Sequence, residues 1–283
     1  MGAKADPWRA ALLSVLLLAA LLAGWEWAVK GGGGPGGPAV DEELAALLSP
    51  AAAAGGQTAM PAPSEIGARL LELLSDPFHQ RGTNDQGIGI QIAWSLGRVA
   101  AGFTLAALVA IPLGFLIGMS PLLNAALNPY VQVLRPVSPL AWMPLALYTI
   151  RDSSISSIFV IFICSVWPML INTAFGVATV RREWLNVART LEAGRWKTAI
   201  RVILPAAAPT ILTGMRISIG IAWLVIVAAE MLVGGTGIGY WVWNQWNNLS
   251  IADIVIAILM IGLVGLLLDR MLGLVQRWVA WQE

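Results

Sequence analysis

Several charged residues lie where the sequence is otherwise apolar, Arg98 among them. Arg135 opens one long apolar run, Arg216 and Glu230 fall inside another, and Asp269 and Arg270 stand together near the end of a third. A charge at the centre of a membrane helix costs about 2.5–3.5 kcal/mol on the insertion scale, so each is a functional candidate by default. Arg216 and Glu230 are fourteen residues apart, about 21 Å along a helix at roughly 1.5 Å per residue. They cannot pair within one straight helix. Arg216 lies near one end of its run, where its stem can snorkel to the interface, and Glu230 lies within reach of the opposite interface. Asp269 and Arg270 are expected to make local pairs at the interface. Arg98 shares with Arg216 only a glycine four residues further on.

Catalytic chemistry is poorly supplied. The single histidine, His79, sits in a polar loop, so no Ser/His pair exists within the apolar runs, and no Cys/His spacing suits a metal. A phosphate-cradling G-x-x-x-x-G-K-[ST] loop is absent, and Lys4, Lys30 and Lys197 lie in no such context. With one cysteine, Cys164, no intramolecular disulfide can form. A membrane-embedded enzyme is therefore disfavoured, and the net charge of +1 offers no field for nucleic acid.

The elements that must position these residues are membrane helices. The chain has 283 residues, 58% hydrophobic and 12% charged, with mean hydropathy +0.74; a soluble domain carries about 25% charged residues. The sequence predicts an all-α membrane protein, a polytopic bundle of about six transmembrane helices, each needing about 20 apolar residues. The expected spans are Ala10 to Val29, Ile92 to Met119, Tyr130 to Ile150, Ser154 to Val177, Ala208 to Val233 and Ile251 to Val275. The first is longer than the usual signal-peptide core and reads as a retained helix. The second holds Pro112 and a Gly114-x-x-x-Gly118 pair that permits close helix approach. Pro136, Pro139 and Pro144 interrupt the third, freeing carbonyls that protein or water must satisfy, which favours an interior position.

Three regions follow: residues 1–30, an N-terminal helix; 31–90, an outer linker; and 91–283, a core of five spans with a basic loop at 180–206. The linker holds "GGGGPGGPAV" and "SPAAAAGGQTAMPAPSE" and two amphipathic helix candidates, "DEELAALL" and "SEIGARLLELLSD". The 180–206 loop carries Arg181, Arg182, Arg189, Arg195, Lys197 and Arg201, whereas the 119–129 and 234–250 loops carry no basic residue. By the positive-inside rule the basic loop is cytoplasmic, as are both termini. Trp241, Trp243 and Trp246 suit an interfacial belt.

Within the basic loop, "NVARTLEAGRWKTAIRVILP" spans Asn186 to Pro205 and holds four of the seventeen basic residues. It is too polar and too short to cross a bilayer. Its spacing predicts a helix–bend–helix on the inner membrane surface, ending before Pro205, which restricts Leu204 away from the helical region. Composition alone leaves a bare positive-inside anchor as an equal reading.

The order of residues adds more. The stretch resembles the cytoplasmic loop of permease subunits of bacterial ATP-binding-cassette importers, which reads Glu-Ala-Ala, three residues, Gly, nine residues, Ile, any residue, Leu-Pro. Ala188, Val202 and Leu204-Pro205 fit. Asn186-Val187 replaces Glu-Ala, and Glu192 stands where Gly is usual, with Gly194 two residues later. "LRPVSPLAWMPLAL" and "MPAPSEI" resemble the branch serving nitrate, sulfonates and taurine. "GIAWLVIVAAEMLVGGTGIGYWVWNQWNNLS" and "IGLVGLLLDR" look most like the nitrate permeases. The resemblance covers about residues 60–283.

The resemblance implies a permease subunit importing a small anion, nitrate first, with bicarbonate, cyanate or nitrite close behind and a sulfonate or taurine permease as rival. It implies a second copy of the permease, cytoplasmic ATP-binding-cassette ATPase subunits, a periplasmic or lipid-anchored anion-binding protein, and surrounding membrane lipid. No cofactor is expected on this chain, ATP and Mg2+ belonging to the partner subunits. The basic stretch becomes a coupling helix touching the ATPase through Ala188, Thr190, Leu191, Glu192, Gly194 and Arg195. A pore for a small anion needs a weak positive field and hydrogen-bond donors, for which Arg135, Ser138, Asn172, Thr173 and Arg216 are candidates.

Overall fold

The computed structural model describes residues 7–30, 60–82 and 85–279. Among them the order is α1 (Pro7–Lys30), α2 (Pro63–Ser75), α3 (Ile88–Met119), α4 (Pro121–Leu134), a 3-10 turn (Pro139–Trp142), α5 (Met143–Ile150), α6 (Ser153–Ala178), α7 (Arg182–Thr190), α8 (Arg195–Thr198), a π-turn (Ala199–Ile203), α9 (Leu204–Val233), α10 (Ile238–Asn247) and α11 (Ile251–Val279). Among the described residues five helices are long and apolar enough to cross a membrane: Trp8–Lys30, Ile88–Met119, Ser153–Ala178, Arg195–Val233 and Ile251–Val279. The helix expected over "DEELAALL" and the Gly-rich breaker lie outside the described residues.

The chain forms two compact units, residues 1–77 with 244–258, and 78–243 with 259–283. In the first, α2 is tied by polar bonds. Ser64 donates from its hydroxyl and backbone amide to Glu26 of α1 (2.7 and 3.1 Å), and Lys30 pairs with Glu26. Arg69 donates to both oxygens of Asp253, at 2.9 and 3.3 Å. Asp253 and Glu72 beside it raise the already high pKa of the Arg69 guanidinium and hold it charged.

The second unit is built on α3, α6 and α9. Gly102, Ala106, Ala110, Gly114 and Gly118 recur every four residues along α3 and form a smooth stripe. A Cβ at Gly114 would stand 2.7 Å from the Leu170 carbonyl, and one at Gly118 2.6 Å from that of Ala174. The backbones of α3 and α6 therefore touch, as small-residue spacing allows. On the other side of α6, a Cβ at Gly214 of α9 would meet Asn172 at 2.7 Å. Met169, Leu170, Ala106, Ala110 and Ile117 fill the packed layer. Trp223 of α9 donates its indole N–H to the Ile261 carbonyl of α11 at 2.9 Å. Trp241 is buried, whereas Trp243 and Trp246 are exposed.

The expected third span is not one helix. Prolines at 136, 139 and 144 break it into α4, the 3-10 turn and α5. Ser120 caps α4 by accepting from the Leu123 amide (3.3 Å), and Asp152 caps α6 by accepting from the Ile155 amide (2.7 Å).

Candidate functional site

The basic segment folds as a helix, a tight turn and a second helix. The turn is a Schellman motif: the Ala193 amide donates to the Ala188 carbonyl (3.0 Å) and the Glu192 amide to the Arg189 carbonyl (2.9 Å). Such a turn needs a left-handed residue after the helix, and glycine fills it without steric cost. Here Glu192 occupies it, with φ +50°. This is the position where the sequence pattern has glycine. Gly194 does not take over that role: its φ is −60°, and a Cβ there meets nothing.

The turn fixes what the segment shows. Ala188 is buried, anchoring α7 inward, while Leu191 is 75% and Trp196 82% exposed. Thr190 bonds its own helix through the Asn186 carbonyl (3.1 Å). Glu192, Gly194 and Arg195 are exposed beside it. Trp184, Val187, Ala188, Leu191 and Val202 line an apolar hollow of about 370 Å³, rimmed by Lys197 and Arg201. Apolar side chains this exposed amid basic ones suit contact with a protein partner or with a membrane surface.

The second helix does not stop before Pro205. Arg195–Val233 runs on as one 39-residue span. The reason is the π-turn at Ala199–Ile203, where the Leu204 amide donates five residues back, to the Ala199 carbonyl. The wider turn keeps Leu204 helical (φ −62°, ψ −48°), and Pro205 enters at the first turn of α9. In a continuous helix Pro205 can donate no bond to the turn before it, and the wider π-turn directly ahead of it is the irregularity that accommodates the ring.

The five polar candidates are dispersed. Arg135 directly follows α4 and Ser138 precedes the 3-10 turn; both are exposed at the break of the third span. Asn172 donates to the Pro168 carbonyl of its own helix (2.8 Å). Thr173 is fully buried against Gly114. Arg216 makes a two-pronged pair with Asp269 of α11, at 2.6 and 2.5 Å. Asp269 thus pairs with a helix 53 residues away, not locally with Arg270. Among the described residues no hydrogen bond joins these five to one another.

One cluster escaped the sequence reading. Glu230, 1% exposed, accepts from Arg98 of α3 (2.7 Å), from the Gly239 amide (3.1 Å) and from Ser95, whose hydroxyl oxygen lies 2.9 and 2.8 Å from its two oxygens. Arg98 also donates to Ser154 (2.9 Å) and to the Thr236 carbonyl. Gln91 and Ser95 accept from the amides of Gly237 (2.6 Å) and Ile238 (2.9 Å). Three side chains from other helices so satisfy the first amides of α10 and fasten the 234–237 loop. The signal was present: two opposite charges, each inside an apolar run, are expected to find one another. Testing Glu230 only against Arg216 on its own helix hid it.

Comparison with known proteins agrees with this architecture. Residues 110–281 match the family described as the binding-protein-dependent transport system inner membrane component. The nitrate import permease protein NrtB of Leptolyngbya laminosa is 47% identical over 228 residues, 81% of this chain and 82% of that protein. The bicarbonate transport system permease protein CmpB of Synechococcus elongatus is 46% identical over 227 residues, 79% and 82% of the two chains. Among solved structures, an inward-facing conformation of the MetNI methionine ABC transporter matches with TM-score 0.57 at 14% identity, covering 67% of this chain and 94% of that one, which is a likeness of fold. The chain belongs to the family of binding-protein-dependent inner-membrane transport components, the permease subunits of ATP-binding-cassette importers.

Proposed function

We propose that this chain is the permease subunit of an importer for a small, singly charged oxyanion, nitrate first. One observation carries the reading: near-equal identity, over four-fifths of the chain, to a nitrate permease and a bicarbonate permease. Both anions are planar, with three oxygens around one centre, so a pathway shaped for either is nearly shaped for the other. Bicarbonate is accordingly the second reading, ahead of sulfonates, taurine or cyanate.

In this reading two copies of the chain enclose the pathway in the inner membrane, with both termini cytoplasmic. A periplasmic or lipid-anchored binding protein delivers the anion. Separate ATPase subunits hold ATP and Mg2+ and grip the exposed turn through Ala188, Thr190, Leu191, Glu192, Gly194 and Arg195. The exposed Leu191 and the apolar hollow beside Lys197 and Arg201 support that contact. Because α9 is continuous with the segment through the π-turn, movement of the gripped turn enters the bundle directly. Arg135 and Ser138 at the broken span supply positive charge and a donor to the pathway, with Asn172, Thr173 and Arg216 as further candidates.

The test is ATP hydrolysis by the reconstituted complex with its binding protein. Nitrate is expected to stimulate it most. Stimulation by taurine or an alkyl sulfonate, with none by nitrate or bicarbonate, would overturn the reading.

A further inference from the structure

Helix α4 is apolar except along one line. Asn124, Asn128, Gln132 and, one residue past its end, Arg135 follow at intervals of four, four and three. At about 100° per residue these positions fall within an arc of roughly 80°. The rest of the helix is Leu, Ala, Val and Pro with one Tyr. None of the four polar residues is buried, and α4 buries no residue at all. Among the described residues none of the four side chains makes a hydrogen bond or ion pair, whereas Arg98, Arg69 and Arg216 are all engaged.

Wherever it enters the bilayer, such a line cannot face lipid. An amide moved into hydrocarbon without a partner costs several kcal/mol, about 4–8 on the scale where nothing can bond, and a guanidinium costs more. Irregular backbone at membrane depth is tolerated only where it is covered by protein or lines water; the chain breaks after Arg135 with Arg135 and Ser138 exposed. Asn124 and Asn128 also open onto a hollow of about 240 Å³, whose other wall is Ile117 and Gly118 of α3 and Leu170 and Phe175 of α6. Two amides of the line therefore edge a hollow beside α4, and the same line continues past it through Gln132 to Arg135.

We propose that Asn124, Asn128 and Gln132 form a rail of neutral donors along which the translocated oxyanion passes to or from Arg135. This rests on the small-anion reading above and names the residues that carry it out. The chemistry suits transit. The guanidinium, placed at the C-terminal end of α4 where the helix dipole favours a cation, attracts the anion and repels cations. The amides then offer N–H groups without charge, so the anion is solvated but not held. Side chains four apart on a helix stand about 5–6 Å from one another, a step that an anion can make with one oxygen on each rung. An amide also accepts hydrogen bonds, which accommodates the hydroxyl of bicarbonate as well as the bare oxygens of nitrate. With the basic segment cytoplasmic, Asn124 is the inner end and Arg135 stands about 16 Å further out, at roughly 1.5 Å per residue.

The test uses the full complex, reconstituted with its ATPases and binding protein. Asn124→Cys, Asn128→Cys and Gln132→Cys are compared with Ala126→Cys and Val133→Cys, which point to the opposite side of α4. The native Cys164 is buried and sets the background. Retained ATP hydrolysis certifies assembly. An anionic, water-soluble thiosulfonate is expected to modify the three rail positions at least tenfold faster than the two controls, and nitrate is expected to slow it. In a second arm, Asn128→Asp places a negative charge on the rail and lowers nitrate uptake at least tenfold, while Asn128→Gln keeps most of it. Equal rates on both sides of α4, rail thiols no faster than background, or uptake indifferent to Asn128→Asp would each overturn the rail. A wild-type complex that carries no oxyanion would instead sink the proposed function.

Discussion

Removing the Glu230 carboxylate tests whether the buried cluster holds the bundle together. In Glu230→Leu the Arg98 guanidinium keeps Ser154, the Thr236 carbonyl and the Trp94 ring face, the Gly239 amide loses its acceptor, and the Ser95 hydroxyl keeps only the Gln91 carbonyl. A guanidinium cannot shed its charge, so a buried cation is left without a counter-ion. Breaking one side of a buried pair costs about 3–5 kcal/mol. Arg98→Met is milder, because the orphaned group is then a carboxyl that a proton can neutralise and that Ser95 and Gly239 still serve. The double variant removes both charges, and the coupling between them should return about 1–3 kcal/mol relative to Glu230→Leu. The assay is unfolding in mixed detergent micelles followed by tryptophan fluorescence, for which the chain has fourteen reporters. The order of stability should be wild type, Arg98→Met, then Glu230→Leu, with the double variant above Glu230→Leu. A double variant as unstable as Glu230→Leu would show that the pair is incidental and that only packing is being disturbed.

Glu192→Gly should stabilise the turn by about 0.5–1 kcal/mol, the relief of a left-handed backbone less the added freedom of the unfolded chain; unchanged thermal unfolding of the purified protein would contradict the strain. Gly237→Ala should destabilise, by about 1–3 kcal/mol from its φ of +150° alone, because the new Cβ also overlaps the Glu230 carboxylate; this is read in the same micelle titration. Leu191→Glu alters a side chain that is 75% exposed, so stability should stay within about 0.5 kcal/mol while uptake and ATPase co-purification fall at least tenfold. Normal uptake by a well-expressed Leu191→Glu protein would remove the coupling contact.

The sequence reading succeeded where one segment decides its own structure. Hydropathy located the long spans because each contains enough apolar residues to cross alone, and the Gly114–Gly118 spacing announced the close approach that α6 makes. The three prolines announced a damaged third span, although not that it would separate into three pieces. It failed where a partner lies far along the chain. Glu230 and Arg98 are separated by 132 residues and Arg216 and Asp269 by 53; neither pairing has any local signature. Pro205 failed differently. The local rule that the preceding residue avoids helix is sound, but five residues of π-turn outweighed it. The mismatch at Glu192 became intelligible only as geometry, since the motif's glycine marks a left-handed position and not a contact.

The turn and the buried cluster are linked by one element. Arg195–Val233 is a continuous helix, so Arg195 at the exposed turn and Glu230 at the cluster are 35 residues apart, about 52 Å at roughly 1.5 Å per residue. A rod of that length is held against α6 by backbone contact at Gly214 and against α3 by the Arg98 pair. Its irregular points, the π-turn and Pro209, both lie at the end next to the proposed ATPase contact. Motion applied at Leu191 that is not taken up in the turn, at Ala199–Ile203 or at Pro209 moves α9, and with it the Glu230 cluster and the 234–237 loop, as a body. Since α6 packs on both α3 and α9, the rail-bearing α4 is displaced only if α3 and α6 follow. An ATPase gripping the turn would then work the pathway by shifting packed helices against a second copy rather than by deforming any one of them.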